Sequence, residues 1–220
     1  MIAVAIDGPA GAGKSTIAKA AAKKLGFLYV DTGALYRATG LKFSRLGFDT
    51  ELNCDIDSVL NSTNVDFKYI EGVQHVFLDG EDVSEAIRTP EASMMASAVS
   101  AKPPVRAFLL EMQRKIAREN NVIMDGRDIG TVVLPDAKIK IFLTASAAVR
   151  ATRRHKELIE KGENVTYDEV LADIEKRDYN DSHREIAPLK PAENSIYYDS
   201  SDKDLETNIN DIIAIIEERM

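Results

Sequence analysis

Apolar and polar positions along the chain switch between two periods, and the switches mark out the elements. Short apolar runs at 2–6, 27–30, 122–125, 138–143 and 195–199 read as strands of a buried sheet. Between them lie longer stretches with apolar residues three and four apart, the helical spacing. Ile17, Ala18, Ala20, Ala21, Ala22 and Leu25 mark the first helix, which Gly26 ends. Leu109, Met112 and Ile116, with Leu110 beside them, mark a long helix from about 105 to 120. Ile209, Ile212, Ile213 and Ile216 mark the last helix, 205–220. Capping residues place the other starts: Asp31 or Thr32 for a helix toward Leu46, Thr89 before Pro90, Ser146, and Thr166 with Glu169 as a capping box. Met94 and Met95, in the helix that starts at Thr89, are expected to fill core space.

One stretch breaks the rhythm. From 55 to 88, Val65, Phe67 and Tyr69 alternate with Asp66 and Lys68, Glu71-Gly72 supplies a turn, and a second strand-like run follows. This reads as a small antiparallel insert, in which His75 is a solvated strand residue. Elsewhere strands alternate with helices. The expected fold class is therefore α/β, a three-layer αβα arrangement around a five-stranded parallel sheet.

The first strand runs directly into Gly8-Pro9-Ala10-Gly11-Ala12-Gly13-Lys14-Ser15-Thr16, the phosphate-loop pattern G-x-x-x-x-G-K-[ST]. Glycines let successive N–H groups point into one concavity, and the following helix adds its N-terminal donors and dipole. Lys14 can reach the β- and γ-phosphates, and the Ser15 hydroxyl can take one position on Mg²⁺. The strand before and the helix after make a chance glycine-rich turn an unconvincing explanation.

Composition narrows the partners. The 220 residues carry 28 Lys and Arg against 36 Asp and Glu, a formal net charge of −8. Long-range attraction to nucleic acid or to an acidic membrane is not expected, so a bound anion must be met by a local cation cluster. Cys54 is the only cysteine, which excludes an internal disulfide and a multi-cysteine metal site. No apolar run approaches spanning length, and neither a signal peptide nor secretion is expected; the cytoplasm is the expected location.

Candidate chemistry gathers at strand ends. The strand at 122–125 closes on Asp125 and is followed by Gly126-Arg127-Asp128, two acids and an arginine at the edge where phosphate-loop proteins keep a carboxylate for Mg²⁺. Thr32, Tyr36 and Arg37 follow another strand end; spacing alone leaves a phosphosugar grip and an ordinary capped helix equally open. Arg106 opposes the dipole of its own helix, which suits either an anionic ligand or solvent. Arg150, Arg153 and Arg154 share a helical face, a solvated surface or a set of transition-state cations. Arg177, Asp181 and Arg184 are spaced to share another face. No Asp-x-x-Gly switch with an Asn-Lys-x-Asp base reader occurs. Arginines scattered through an acidic chain suggest a second anionic substrate opposite ATP.

The phosphate loop, Asp31-Thr32-Gly33-Ala34-Leu35-Tyr36-Arg37, Asp125-Gly126-Arg127-Asp128-Ile129-Gly130-Thr131 and Arg177-Asp178-Tyr179-Asn180-Asp181-Ser182-His183-Arg184 together resemble the motifs of the bacterial cytidylate kinases, nearly end to end. The resemblance implies a core of 1–54, 89–145 and 166–220, a monophosphate-binding insert at 55–88 and a helical lid at 146–165. It implies transfer of a phosphoryl group from ATP to CMP or dCMP, with Mg²⁺, by a monomer. Arg37, Arg127 and Arg184 would hold the CMP phosphate; Ser97, Arg106 and Asp128 would read cytosine; Arg177 and Asp181 would contact the sugar, with Thr32 and Tyr36 lining the pocket. Asp125 would position phosphate or hydrated Mg²⁺. Arg150, Arg153 and Arg154 would serve ATP from the lid, with Arg153 and Arg154 joining Lys14, Asp125 and Arg127 in catalysis. Another small-acceptor kinase (for UMP or a shikimate-like acid) and a nucleotide-binding regulatory module remain the alternatives.

Overall fold

The computed structural model describes residues 1–220, which divide into two units: 1–29 with 120–220, and 30–119. The first unit starts with strand β1 (Ala3–Asp7) and helix α1 (Lys14–Leu25). Gly26 ends α1 in the left-handed conformation that residues with a side chain resist. Strand β2 (Leu28–Asp31) follows.

In the second unit, Asp31 caps helix α2 (Thr32–Arg45) by accepting the Ala34 N–H at 2.9 Å. A six-residue helix α3 (Ile56–Asn61) then forms inside the stretch expected to hold only strands. It is a single capped turn and a half, too short to show a helical period in the sequence. Strands β3 (Val65–Ile70), β4 (Val73–Leu78) and β5 (Glu81–Asp82) form the expected antiparallel sheet in that order. Its two turns, Glu71-Gly72 and Asp79-Gly80, have positive φ at both residues, which matches the twist of two-residue hairpins. Helices α4 (Pro90–Ser100) and α5 (Pro103–Glu119) complete the unit around Leu35, Phe43, Leu78, Val99, Val105 and Leu109. Gly40 lets α2 and α4 approach closely: a Cβ there would lie 3.0 Å from Met95 Cβ. Met95 is buried as expected, but Met94 is 55 % exposed; it sits on the outer side of α4.

The chain returns to the first unit with β6 (Val122–Gly126), a π-helical turn (Ile129–Val133) and β7 (Ile139–Thr144). Helices α6 (Ala147–Glu160) and α7 (Tyr167–His183), strand β8 (Ile196–Asp199) and helix α8 (Leu205–Glu217) follow. Thr166 and Glu169 form the anticipated capping box. Arg184, expected on the helical face of Arg177 and Asp181, lies one residue past α7 in extended backbone. The parallel sheet has the order β2-β6-β1-β7-β8. On one side of it Ile17, Ala18, Ala21 and Ala22 of α1 pack with Ile212, Ile213 and Ile216 of α8. Each large aliphatic side chain buried here stabilises the unit by roughly 1.5–3 kcal/mol. Register then does the functional work: Ile6 pairs with Asp125 and Asp7 with Gly126, so the β1 and β6 exits share one edge.

Candidate active site

At that edge the phosphate loop connects the end of β1 to the start of α1. A Cβ on Gly8 would sit 1.8 Å from the Leu143 carbonyl oxygen, so only glycine allows the loop to start there. Gly11 and Gly13 have φ of 74° and 88°, conformations that side chains resist. α1 begins at Lys14 with no side-chain cap and no acid in its first turn, which leaves its N-terminal donors directed toward an anion. Lys14 is buried, and Nζ donates to the Pro9 carbonyl at 2.7 Å, folded back over the loop. Burial, then Arg127, pushes the Lys14 pKa down; Asp125 and Asp7 oppose the shift.

Ser15 Oγ donates to Asp125 Oδ2 at 2.8 Å, while Tyr29 donates its phenol to Asp125 Oδ1 at 3.0 Å. Hydroxyl and carboxylate oxygens thus stand together beside the loop. Oxygen donors of this kind are the ones hard divalent cations take, and no group of three or more His, Cys, Asp or Glu residues forms a metal cage elsewhere.

Beside these lies a cationic group. Arg127 Nε donates to Asp181 Oδ2 at 2.8 Å. Burial, and secondarily Arg127, lowers the Arg177 pKa, with Asp173 and Asp181 pulling the other way and Arg154 adding repulsion. Arg184 reaches Asp128 Oδ1 at 3.5 Å and donates through Nε to the Ala187 carbonyl at 2.6 Å. Crowding like charges in this way is costly unless an anion shares the space.

The arginines of α6 take three separate roles instead of forming one face. Arg150 points inward and is 4 % exposed: Nε donates to the Ala145 carbonyl, and Nη1 to the Ala10 carbonyl of the phosphate loop and to Asp178. Arg153 Nη2 donates to the Ser200 carbonyl at 2.8 Å. Arg154 is turned outward to Glu157 at 3.2 Å. A cavity of about 510 Å³ opens here, with Gly13, Lys14 and Thr16 on one side and Arg153, Lys203 and Asn208 on the other. The loop after β8 was missed as part of the site. Its signal was a polar run, Ser200 to Asp204, at the carboxyl end of a parallel strand. Ser200 is fully buried, and its hydroxyl lies 3.2 Å from the Ala12 carbonyl.

In the unit 30–119, Thr32 is buried at the start of α2, and Arg37 Nη2 donates to Asp31 Oδ2 at 2.9 Å. Gly33 leaves room for that pair, since a Cβ would lie 3.0 Å from Arg37 Nη1. The Arg106 guanidinium stands 5.9 Å over the Tyr36 ring and 3.4 Å from the Ser100 carbonyl. Ser97 is half-buried on α4. Burying a guanidinium against an aromatic face holds its fork in a fixed plane, which suits recognition of a planar partner.

The chain is similar over nearly its whole length to bacterial cytidylate kinases. The cytidylate kinase of Caldicellulosiruptor bescii is 51 % identical over 97 % of this chain and 95 % of its own. That of Carboxydothermus hydrogenoformans is 50 % identical over 97 % and 96 %. Among solved structures, an uncharacterized protein from Eubacterium ventriosum superposes with a TM-score of 0.55 at 14 % identity over the whole of both chains, a likeness of fold. The cytidylate kinase family matches residues 4–218, and the chain belongs to that family.

Proposed function

We propose that this chain transfers the γ-phosphoryl group of ATP to CMP or dCMP, giving ADP and CDP or dCDP. The observation that carries the reading is the exit of β6. There Asp125 accepts from the phosphate-loop Ser15, and Asp128, three residues on, lies beside Arg184. One short loop therefore serves the nucleotide triphosphate with one carboxylate and offers the other to an acceptor.

The cavity next to the loop suits ATP, with phosphates on the α1 N-terminus and the base toward Lys203 and Asn208. Mg²⁺ would be held by Ser15 and Asp125 together with the phosphates, and it would neutralise charge that builds on the transferred group. Arg37, Arg127 and Arg184 are assigned to the acceptor phosphate, Arg177 and Asp181 to its sugar, with Thr32 and Tyr36 beside them. Ser97, Arg106 and Asp128 are assigned to cytosine: the carboxylate and hydroxyl accept from the exocyclic amino group while arginine donates to the ring acceptors. Uracil puts a carbonyl where that amino group stands, a mismatch that buried sites reject by up to about 10⁴. In the transfer, an acceptor phosphate oxygen bonds to the γ-phosphorus as the bond to the β-bridging oxygen breaks. Lys14 and Arg153 are assigned to the charge on the migrating group, and Arg154 joins them only on leaving Glu157. Residues 55–88 would serve the acceptor and 146–165 the lid.

No helix is long and apolar enough to cross a membrane. We place the enzyme in the cytoplasm as a monomer. The test is ADP release from ATP·Mg²⁺ with CMP, dCMP, UMP, AMP, GMP or shikimate as acceptor. Turnover confined to CMP and dCMP is expected. Preference for another acceptor would overturn the base assignment, and no turnover with any would leave a nucleotide-binding module.

A further inference from the structure

Asp7 ends β1 and immediately precedes Gly8, yet none of the contacts assigned above uses it. It is 3 % exposed. Oδ1 accepts the Ile129 N–H and Oδ2 the Gly130 N–H, both at 2.7 Å. These are the first N–H groups of the π-helical turn, which have no partner inside the turn. From the other side the Asp128 carbonyl accepts from Val132 and Val133 at 2.9 and 3.2 Å. Both ends of the Asp128–Ile129 peptide are therefore held, its N–H by Asp7 and its carbonyl by the turn.

The approach is close and leaves no slack. A Cβ on Gly130 would fall 3.3 Å from Asp7 Oδ2, 3.2 Å from Ala192 Cβ and 3.3 Å from Lys140 Cδ. The arrangement is also costly. Burial pushes the Asp7 carboxyl up to about 6, with the nearby Asp128 charge adding to it and the two N–H bonds and Lys14 opposing. Serine or asparagine caps one N–H group more cheaply. A carboxylate caps two adjacent N–H groups at once, and here those two set the direction of Asp128.

We infer that Asp7 is the positioning residue for acceptor-base discrimination: through the Ile129 and Gly130 N–H groups it fixes the backbone from which Asp128 meets the pyrimidine. The inference rests on the reading of Asp128 as the base-contacting carboxylate. It also links the two substrates' loops, because the residue after Asp7 begins the phosphate loop.

The experiment compares the ratio of kcat/KM for CMP to that for UMP, the KM for ATP and the Tm in wild type, Asp7→Asn, Gly130→Ala and Asp128→Asn. The ratio does not depend on the fraction of enzyme that is folded. Asp7→Asn opposes an amide NH₂ to a backbone N–H; Gly130→Ala displaces the same turn and leaves the Asp7 charge in place. Both are expected to lower the ratio about tenfold or more, the scale of small misplacements in a site, with the KM for ATP within about twofold of wild type. A fall in Tm with the ratio unchanged in both variants would reduce Asp7 to a structural cap and overturn the inference. A raised KM for ATP with the ratio intact would assign Asp7 to the phosphate loop and also overturn it. If Asp128→Asn leaves the ratio unchanged, the base-reading assignment itself fails and takes the inference with it. If Asp7→Asn does not fold, Gly130→Ala decides.

Discussion

Arg150 and Asp178 lie on different helices and meet fork to fork, Nη1 on Oδ1 at 3.0 Å and Nη2 on Oδ2. The same guanidinium also holds the Ala10 carbonyl of the phosphate loop. The pair thus registers α7, which carries Arg177 and Asp181, against the phosphate loop. Asp178→Ala is expected to destabilise the protein by about 2–3 kcal/mol, because it leaves a buried cation uncompensated. The value is set below the fully buried case because the Asp178 side chain is 30 % exposed. Urea unfolding of the variant measures it, and a change under about 0.5 kcal/mol, typical of a surface pair, would count against the role given to the pair.

Ser15→Ala removes the hydroxyl that stands on Asp125. The half-saturating Mg²⁺ concentration for ADP formation should rise about 10-fold or more, as for lost supporting contacts at metal sites. A Mg²⁺ titration at saturating ATP and CMP reads this directly; an unshifted midpoint would remove Ser15 from the metal assignment.

Asp7 gives a pH signature in stability. Burial pushes its carboxyl up to about 6 in the folded protein, from an ordinary value of 3.8. Between those values the native state binds a proton that the unfolded chain does not, so this group favours folding at low pH and that advantage fades as pH rises through 6. The stability of wild type relative to Asp7→Asn should therefore improve by about 2 kcal/mol from pH 7 to pH 4. Urea unfolding of both proteins at each pH is the measurement. A difference that does not vary with pH would mean that Asp7 titrates normally.

Gly40→Ala tests the close approach of α2 and α4. Alanine favours a helix over glycine by about 1 kcal/mol. Here, however, the new methyl group would stand 3.1 Å from the Met95 carbonyl carbon and 3.2 Å from the Ala96 nitrogen. Backbone atoms cannot swing aside as a flexible side chain can. A net loss of about 1–3 kcal/mol in thermal or urea unfolding is expected; a gain would show that the two helices can separate cheaply.

Gln113 offers the opposite case. It is 1 % exposed on the core side of α5, and neither its amide oxygen nor its amide nitrogen has a hydrogen-bond partner. An unsatisfied buried amide costs about 1–3 kcal/mol, and methionine has a similar length. Gln113→Met should raise stability by about 1 kcal/mol; a lower Tm would refute this.

The strands and long helices were legible because one period persists through each, and the caps Asp31, Thr89 and Thr166 act on their own neighbours. The phosphate loop was legible because its chemistry is consecutive. What escaped reading was set at a distance. α3 is too short to show a period, and the π-helical turn depends on Asp7, more than a hundred residues upstream. Arg150, Arg153 and Arg154 share a helical spacing, but their directions follow from Asp178, Ser200 and Glu157 respectively. Spacing places side chains on a face; partners elsewhere in the chain decide where each one points.

Arg37 is paired with Asp31, Arg127 with Asp181, and Arg184 stands near Asp128. These arginines keep tethered carboxylates where exposed basic surfaces keep mobile ions. A polyanion gains most of its affinity for a basic surface by stripping such mobile ions into bulk solution. At these sites there are few to strip, and the chain as a whole carries −8. RNA and DNA, which bind basic surfaces chiefly by releasing such ions, therefore gain little from these arginines.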